Sequence, residues 1–331
     1  MNNNNIPIYI YLDQNKWIEL AKGLKNEEIK YKNLYSKIRS NVESGIWAFP
    51  LSIIHIAEAM KRKDKESRED LLNLMYTLSK GCSIADYLTV NDIEFNYWIR
   101  NGIVDYKEIQ SQVIAHDLSK IIGLSIDTAR IKINGNLEVS DDKIKYLKNF
   151  LINHSCDIEI FKYICELCSD LNEDEDFFYE CFVEAREKFK SWVDEIKKLD
   201  NYKEKHVYPA YLIKIFFEQY GEILKRLSPE YRDKFKKMVC SNNKNKEKTI
   251  NFIESLPGFN INNRLVYELL SNPYKVVHKH DFFDLAFLRV AIPYCDIVIG
   301  ENYWIDRIKF YKLDKKFNTI SETKLFKLEE L

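Results

Sequence analysis

The sequence predicts an α/β protein: a central parallel sheet assembled from both ends of the chain, with a large, mostly α-helical insertion between them. Three observations carry this. Residues 6–12, Ile-Pro-Ile-Tyr-Ile-Tyr-Leu, form a nearly continuous apolar run, the pattern of a strand covered on both faces. Strand-like and helix-like stretches alternate near both termini, which is the rhythm of βαβ units. Gly and Pro number only 9 and 7 among 331 residues, too few for the many tight turns of an all-β fold.

The first strand stops at Asp13-Gln14-Asn15, and helical spacing begins at Lys16. A second helix is expected over Glu27–Ser44, where Leu34, Ile38 and Val42 recur every four residues; Gly45 is placed to end it. Ile46-Trp47-Ala48-Phe49 reads as the second strand, broken by Pro50, and helix resumes from Ser52 to about Arg62. From 83 to 275 the alternation gives way to consecutive helices. One is expected over Asp174–Leu199, with Phe178, Phe182, Ala185, Phe189, Trp192 and Ile196 at three- and four-residue steps, and another over Pro209–Leu227. A short strand or turn is expected near Ile131–Val139, and Asn242–Lys248 reads as a polar, lysine-rich loop. The α/β pattern returns with a helix over Asp281–Ala291 and a buried strand over Cys295–Ile299, closed by Gly300. A helix from Glu301 and a last strand at Phe310–Leu313 follow. The expected organisation is an α/β domain made of residues 1–82 and 276–331, with about four to five strands, and a helical insertion over 83–275.

Apolar residues make up 46% and charged residues 31%, and 21 Tyr with 19 Phe supply a sizeable core. Fifty basic residues face 51 acidic ones, so nucleic acid could be bound only through a local basic surface, not through global charge. Met1–Asn5 is polar and uncharged and the apolar run after it is short, unlike a secretory leader. No stretch approaches the roughly 20 apolar residues of a membrane helix. Seven cysteines, an odd number, suit reduced thiols better than a disulfide framework. A cytoplasmic chain with no membrane partner is the expectation.

In an open parallel sheet, ligand sites collect at the carboxyl ends of the strands. Acids stand at that edge in separate segments: Asp13 after the first strand, Glu58 on the helix after the second, Asp281 and Asp284 on the helix before the late strand, and Glu301 after it. Carboxylates gathered this way repel one another, and some take up protons. A hard divalent cation removes the conflict. Mg²⁺ and Mn²⁺ prefer oxygen, and few protein carboxylates suffice because water and substrate phosphate complete the shell. Such an ion acidifies water and neutralises charge on a transferring phosphoryl group.

These motifs resemble a known family. Tyr11-Leu12-Asp13-Gln14-Asn15 resembles the opening motif of PIN-like domains, in which an Asp, often within Asp-x-Asn, ends the first strand. Phe49-Pro50-Leu51-Ser52 through His55 to Glu58 resembles the second motif, a Ser opening a helix that carries a Glu. The stretch from His280 to Glu301 resembles the closing motif, an Asp-bearing helix leading to a strand and a final acid. The resemblance covers residues 6–80 and 278–320, not the middle.

It implies a three-layer α/β/α sandwich and a nuclease that hydrolyses phosphodiester bonds with Mg²⁺ or Mn²⁺, leaving 5′-phosphate and 3′-hydroxyl ends. RNA is favoured over DNA on family grounds alone. By matching position, Asp13, Glu58 and Asp284 would be the principal metal ligands, with Asp281 and Glu301 ancillary, and Asp13, Glu58, Asp284 and Glu301 the catalytic set. The family's last acid is usually Asp, so Asp296 competes with Glu301 for that place. Asn15, Lys16, Ser52, Arg62 and His280 are the candidates for contacting substrate. The insertion exceeds a minimal PIN-like domain and is expected to bind a regulatory protein partner; a microbial toxin or defence effector is one setting for such a chain.

Each acid also has a purely structural reading. Asp13 or Asn15 could N-cap the helix that follows. Asp281 and Asp284 could be a cap and a first-turn acid, and Glu301 likewise profits from a helix dipole. Glu58 could pair with Arg62 at i+4, and Ser52 could cap its own helix. What favours a site is the joint pattern, in the PIN-like order. Cys165-Glu-Leu-Cys168, with His154, Cys156 and Cys181 nearby in sequence, raises a zinc site. Cysteines three apart in an apolar helix more often pack as small apolar residues. The lysines between Lys234 and Lys248 read as a solvated face, and Trp17 and Trp304 as core or as stacking platforms. Two rivals stand against a nuclease. One is a PIN-like scaffold without activity that binds nucleic acid or protein. The other is a haloacid-dehalogenase-like phosphatase, which needs a second Asp two residues after the first, where this chain has Asn15.

Overall fold

The computed structural model describes residues 6–122, 154–169, 175–200, 202–227, 229–238 and 246–331. The strand or turn expected near Ile131–Val139 and residues 242–245 of the expected loop lie outside them.

In chain order the elements are β1 (Ile8–Leu12), α1 (Gln14–Lys25), α2 (Ile29–Glu43), β2 (Trp47–Ala48), α3 (Ile53–Met60), α4 (Lys65–Ser79), β3 (Cys82–Ile84), α5 (Tyr87–Asn101), α6 (Tyr106–Val113) and β4 (Ile114–His116). Then come α7 (Ile158–Ser169), α8 (Glu175–Lys197), α9 (Val207–Arg226), α10 (Pro229–Met238), α11 (Lys246–Ser255), α12 (Pro257–Ser271), α13 (Asp281–Tyr294), β5 (Ile297–Ile299), α14 (Asn302–Phe310), α15 (Leu313–Phe317) and β6 (Ile320–Glu322). The chain is thus mostly helical, with a small parallel sheet.

That sheet has the order β2-β1-β5-β6, every pair parallel. Strands from the two ends of the chain lie side by side: Ile10 pairs with Ile297 and Leu12 with Ile299. The apolar run at residues 6–12 acquires its meaning here. Ile10 and Leu12 enter one core with Ile297, Ile299, Trp17, Leu34 and Ile38. Tyr11 and Val298 point the other way and are also buried. Both faces of the central strands are therefore covered, and each fully buried Ile or Leu contributes roughly 1.5–3 kcal/mol.

The structure departs from the sequence expectation in three places. The last strand is β6, not Phe310–Leu313. Lys312 takes a left-handed conformation (φ 56°) that breaks the chain there, and Leu313 and Phe317, four apart, bury one face of α15. β3 and β4 form an antiparallel pair inside the segment expected to be helical, and β3 also bridges to Leu51 just past β2. At three residues each they are too short to show alternation. The turn into β3 uses Gly81 (φ 76°), where a Cβ would stand 2.6 Å from the Cβ of Cys156.

Third, the chain forms two compact units whose boundaries differ from an insertion at 83–275. The first comprises Met1–Thr89, Gln110–Glu173 and Val290–Leu331; the second comprises Val90–Ile109 and Asp174–Arg289. The helix α7 belongs with the sheet because its Phe161, Ile164, Cys165 and Cys168 pack into the core around Ile10 and Leu12. The second unit is helical. Phe189, Tyr208, Tyr211 and Tyr267 form one aromatic cluster, and Phe95, Trp98, Phe216, Phe235 and Phe252 another. Among the described residues no helix is long and apolar enough to cross a membrane.

Candidate functional site

The carboxyl edge of the sheet begins where β1 ends. The Asp13 amide donates to the Ile299 carbonyl (2.8 Å), the last rung between β1 and β5, and α1 starts at once. Asp13 occupies the N-cap position of α1, yet its side chain makes no capping hydrogen bond. It is 3% exposed, and its Oδ2 is buried without a partner. Ser52 and Asp64, at the corresponding positions of α3 and α4, do cap their helices. Asp13 thus differs from both: the nearby Gln14 and Asn15 amides steady its charge, but no cap bond forms and one oxygen is left over.

Glu58 reaches the same edge from α3. That helix reads Ile-Ile-His-Ile-Ala-Glu-Ala-Met and buries Ile54, His55, Ile56, Ala57 and Ala59. Glu58 is its one carboxylate, partly buried among apolar neighbours. Glu301 N-caps α14, again without a side-chain cap bond, and accepts a hydrogen bond from Asn15 Nδ2 (2.6 Å) across 286 positions of sequence.

The three acids act on one another. Burial, helped by the charge of Glu301 and opposed by the Gln14 and Asn15 amides and by Lys16, raises the Asp13 carboxyl to about 7. Burial likewise raises Glu58 to about 8, helped by Asp13 and Glu301 and opposed by Lys61. Two buried carboxyls raised toward neutrality beside a third acid are an arrangement that a bound cation or a shared proton would relieve.

His55 sets this edge. Its Nδ1 accepts from the Ser52 amide (3.2 Å), so Nε2 carries the hydrogen and donates to the Leu12 carbonyl (2.6 Å). Burial lowers its pKa to about 4, which keeps it neutral. Tyr11 stacks on the imidazole at 4.6 Å and shares a hydrogen bond with Ser52 Oγ (2.8 Å). Ser52 and His55 thus form a capping box, and this tie locks the start of α3 against the end of β1. Ser52, expected at substrate, is engaged in that tie.

The other expected residues fall as follows. Lys16 lies near Asp13 and pairs with Glu19 (3.5 Å). Arg62 turns away: its Nη2 donates to Ser67 Oγ (2.7 Å), and it lines a small cleft between α1 and α4. The cation whose charge acts on Glu58 is Lys61, not among the residues the sequence singled out; its position three residues beyond Glu58 was the available signal. Asp296 precedes β5 and accepts from the Tyr9 amide (2.9 Å) at the amino edge of the sheet. Gly300 lies four positions further on, about 13 Å of strand, and the acid whose charge acts on Asp13 is Glu301.

Asp281, Asp284 and His280 belong to the second unit. Both oxygens of Asp281 are engaged there, Oδ1 with Lys275 (2.8 Å) and Oδ2 with the amide of His278 three residues earlier (2.7 Å). Asp284 sits in the first turn of α13, its amide bonded to the carbonyl of exposed His280 (3.2 Å).

Trp17 and Trp304 are core residues. Cys165 and Cys168 are packed in the core, and His154 pairs with Asp157 (2.6 Å), so the zinc reading finds no support.

Asp13, Glu58 and Glu301 offer hard oxygen donors, the chemistry Mg²⁺ or Mn²⁺ requires, and the orphaned Oδ2 of Asp13 fits such an ion. Among the described residues, however, no three His, Cys, Asp or Glu side chains are arranged to chelate a metal on their own. An ion here would need water and substrate to complete its shell. Compared with known proteins, the chain matches no family model, no curated protein and no solved structure.

Proposed function

We propose that the first unit carries the active site of a metal-dependent nuclease, with Asp13 and Glu58 as the principal cation ligands and Glu301 ancillary. The observation that carries this is Asp13: a buried, uncapped carboxylate with an unpartnered oxygen, facing two other acids. A charge so placed costs several kcal/mol unless something neutralises it. An Mg²⁺ or Mn²⁺ ion bound there would supply that neutralisation and Lewis-acid chemistry at phosphorus. The chain's own residues do the rest: Asn15 orients Glu301, His55 holds the end of β1 to α3, and Lys16 adds positive charge beside Asp13.

Nucleic acid is the proposed substrate because the order of the motifs, Asp13, Ser52 to Glu58, then the helix-strand-acid ending at Glu301, follows the PIN-like arrangement. RNA is placed ahead of DNA on the same ground. The order β2-β1-β5-β6, with the central strands buried on both faces, supports the PIN-like three-layer sandwich that accompanies this reading.

A second reading, a PIN-like binding module without activity, is favoured by the lack of a preformed three-residue chelating group among the described residues. Purified protein with single-stranded RNA or DNA and Mn²⁺ separates the two. The nuclease reading expects cleavage that Asp13→Asn and Glu58→Gln abolish while both variants stay folded. Absence of cleavage, or cleavage unaffected by either substitution, would establish the alternative or a different site.

A further inference from the structure

Lys22 and Lys25 stand in the last turn of α1, and Arg62 lies just past α3. All three line the small cleft between α1 and α4, a cavity of about 50 Å³ with Ile18 and Leu71 among its apolar walls. The other polar groups on it are the Ser67 hydroxyl and the Asp70 carboxylate, so three cations face one acid. A water needs roughly 10–15 Å³ of such space, so the cleft has room for a few waters or one tetrahedral oxyanion. The cations are only loosely committed. Arg62 spends one of its N–H donors, Nη2 to Ser67 Oγ (2.7 Å), and its Nε is buried without a hydrogen-bond partner. Lys25 pairs with Glu66 (3.4 Å) and Asp70 (3.5 Å), all three well exposed, and exposed pairs are weak and screened by salt. Lys22 is exposed and has no ion pair among the described residues.

A cleft lined mainly by one sign of charge focuses its field on an incoming counter-ion, and the planar fork of an arginine matches two phosphate oxygens at once. The cleft also has a defined distance from the acids. Along α1, Lys22 lies nine residues and Lys25 twelve from Asp13, about 13–18 Å at 1.5 Å per residue. A stacked strand carries a phosphate about every 3.4 Å, so one strand passing Asp13 could present another of its phosphates here. We propose that the α1–α4 cleft is a second phosphate site, in which Arg62, Lys22 and Lys25 hold a backbone phosphodiester of the single strand whose scissile bond lies at Asp13. The identity of that strand rests on the nuclease reading above.

The test uses the full chain and fluorescent single-stranded RNA of two and of eight nucleotides, with DNA of the same lengths as a separate arm, in EDTA so that nothing is cleaved. Wild type should gain affinity as the strand lengthens, and Arg62→Met should remove about tenfold of that gain. For the octanucleotide, the slope of log affinity against log salt should fall by about 0.7 in Arg62→Met and by about 1.4 in the double variant Lys22→Met, Lys25→Met, whose side chains are exposed. Arg62→Lys should restore the slope but not the full affinity, because the charge returns without the fork. Unchanged gain and slope in both variants would overturn the inference; cleavage by wild type with Mn²⁺ would then leave the nuclease reading standing alone. Lost helix content in Arg62→Met, with an unchanged slope in the lysine variant, would mark Arg62 as merely structural and overturn the inference as well. Inorganic phosphate that displaces the octanucleotide at equal concentration would mark a pocket for free phosphate and overturn the backbone assignment. The expected losses of gain and slope, in a protein that cleaves neither polymer with Mn²⁺, would support the cleft as a strand-binding site and overturn the nuclease reading.

Discussion

Asp13→Asn should stabilise the ion-free protein, and do so increasingly as pH rises. Asp13 titrates near 7 in the folded chain against 3.8 when solvated, chiefly because it is buried and secondarily because Glu301 faces it. Its pKa is raised, so the folded state holds the proton longer than the unfolded state, and stability falls as pH climbs from 3.8 through 7. Linkage puts the cost at about 2 kcal/mol at pH 5 and about 4 kcal/mol at pH 8. Asn carries no such cost, so the advantage of Asp13→Asn over wild type should grow by about 2–3 kcal/mol between pH 5 and pH 8. His55 pulls wild-type stability the opposite way over part of this range, but it is present in both proteins and cancels in the difference. Because the chain has two compact units, the reporter must belong to the first. Hydrogen exchange of the Ile8–Leu12 amides, corrected for the intrinsic rate at each pH, serves. Mn²⁺ at a hundredfold its dissociation constant should then restore about 2.7 kcal/mol to wild type at pH 8 and little to the variant. A difference that stays flat with pH, or a variant less stable than wild type at pH 8, would refute the claim that Asp13 is a buried, uncompensated acid.

Three further outcomes follow from the same geometry. Asn15→Ala frees Glu301 and should weaken Mn²⁺ binding several-fold by calorimetry while leaving the melting temperature within a few degrees. His55→Phe removes the bond to the Leu12 carbonyl and should cost about 1–3 kcal/mol by the same exchange measurement. It should also remove the loss of stability that wild type shows as pH falls from 6.5 toward 4, since the folded imidazole titrates near 4 and the unfolded chain takes the proton first. Cys165→Ser places a hydroxyl in the core beside Ile164 and Phe161; it should destabilise the first unit by about 1–3 kcal/mol, and elemental analysis of wild type should find no stoichiometric zinc.

Much of the sheet was legible because its strands announce themselves physically. The runs at Ile8–Leu12 and Ile297–Ile299 are apolar without alternation, as strands buried on both faces must be, and Gly45 and Ser52 mark the adjoining helix ends. β3, β4 and β6 escaped notice because three residues carry no periodicity, and because Leu313 and Phe317 at helical spacing disguised where the chain turns back. Among the site acids, Asp13, Glu58 and Glu301 could be placed from their positions after strands or on the following helix. Whether each was a cap could not be read. Asp13 and Asp281 both open helices, yet Asp13 leaves an oxygen unpartnered while Asp281 spends both oxygens on Lys275 and an amide. Side-chain direction separated Lys61 from Arg62: adjacent residues at the end of a helix point about 100° apart, and Arg62 bonds to Ser67 while the charge of Lys61 acts on Glu58.

The account turns on whether a hard cation belongs at the Asp13 edge. Crystals of the full chain grown with Mn²⁺, measured at the manganese absorption edge, would decide it. The prediction is an anomalous peak about 2.1 Å from carboxylate oxygens of Asp13 and Glu58, lost in Asp13→Asn. Well-ordered density for both side chains with no peak between them, or a peak held elsewhere in the chain, would contradict it.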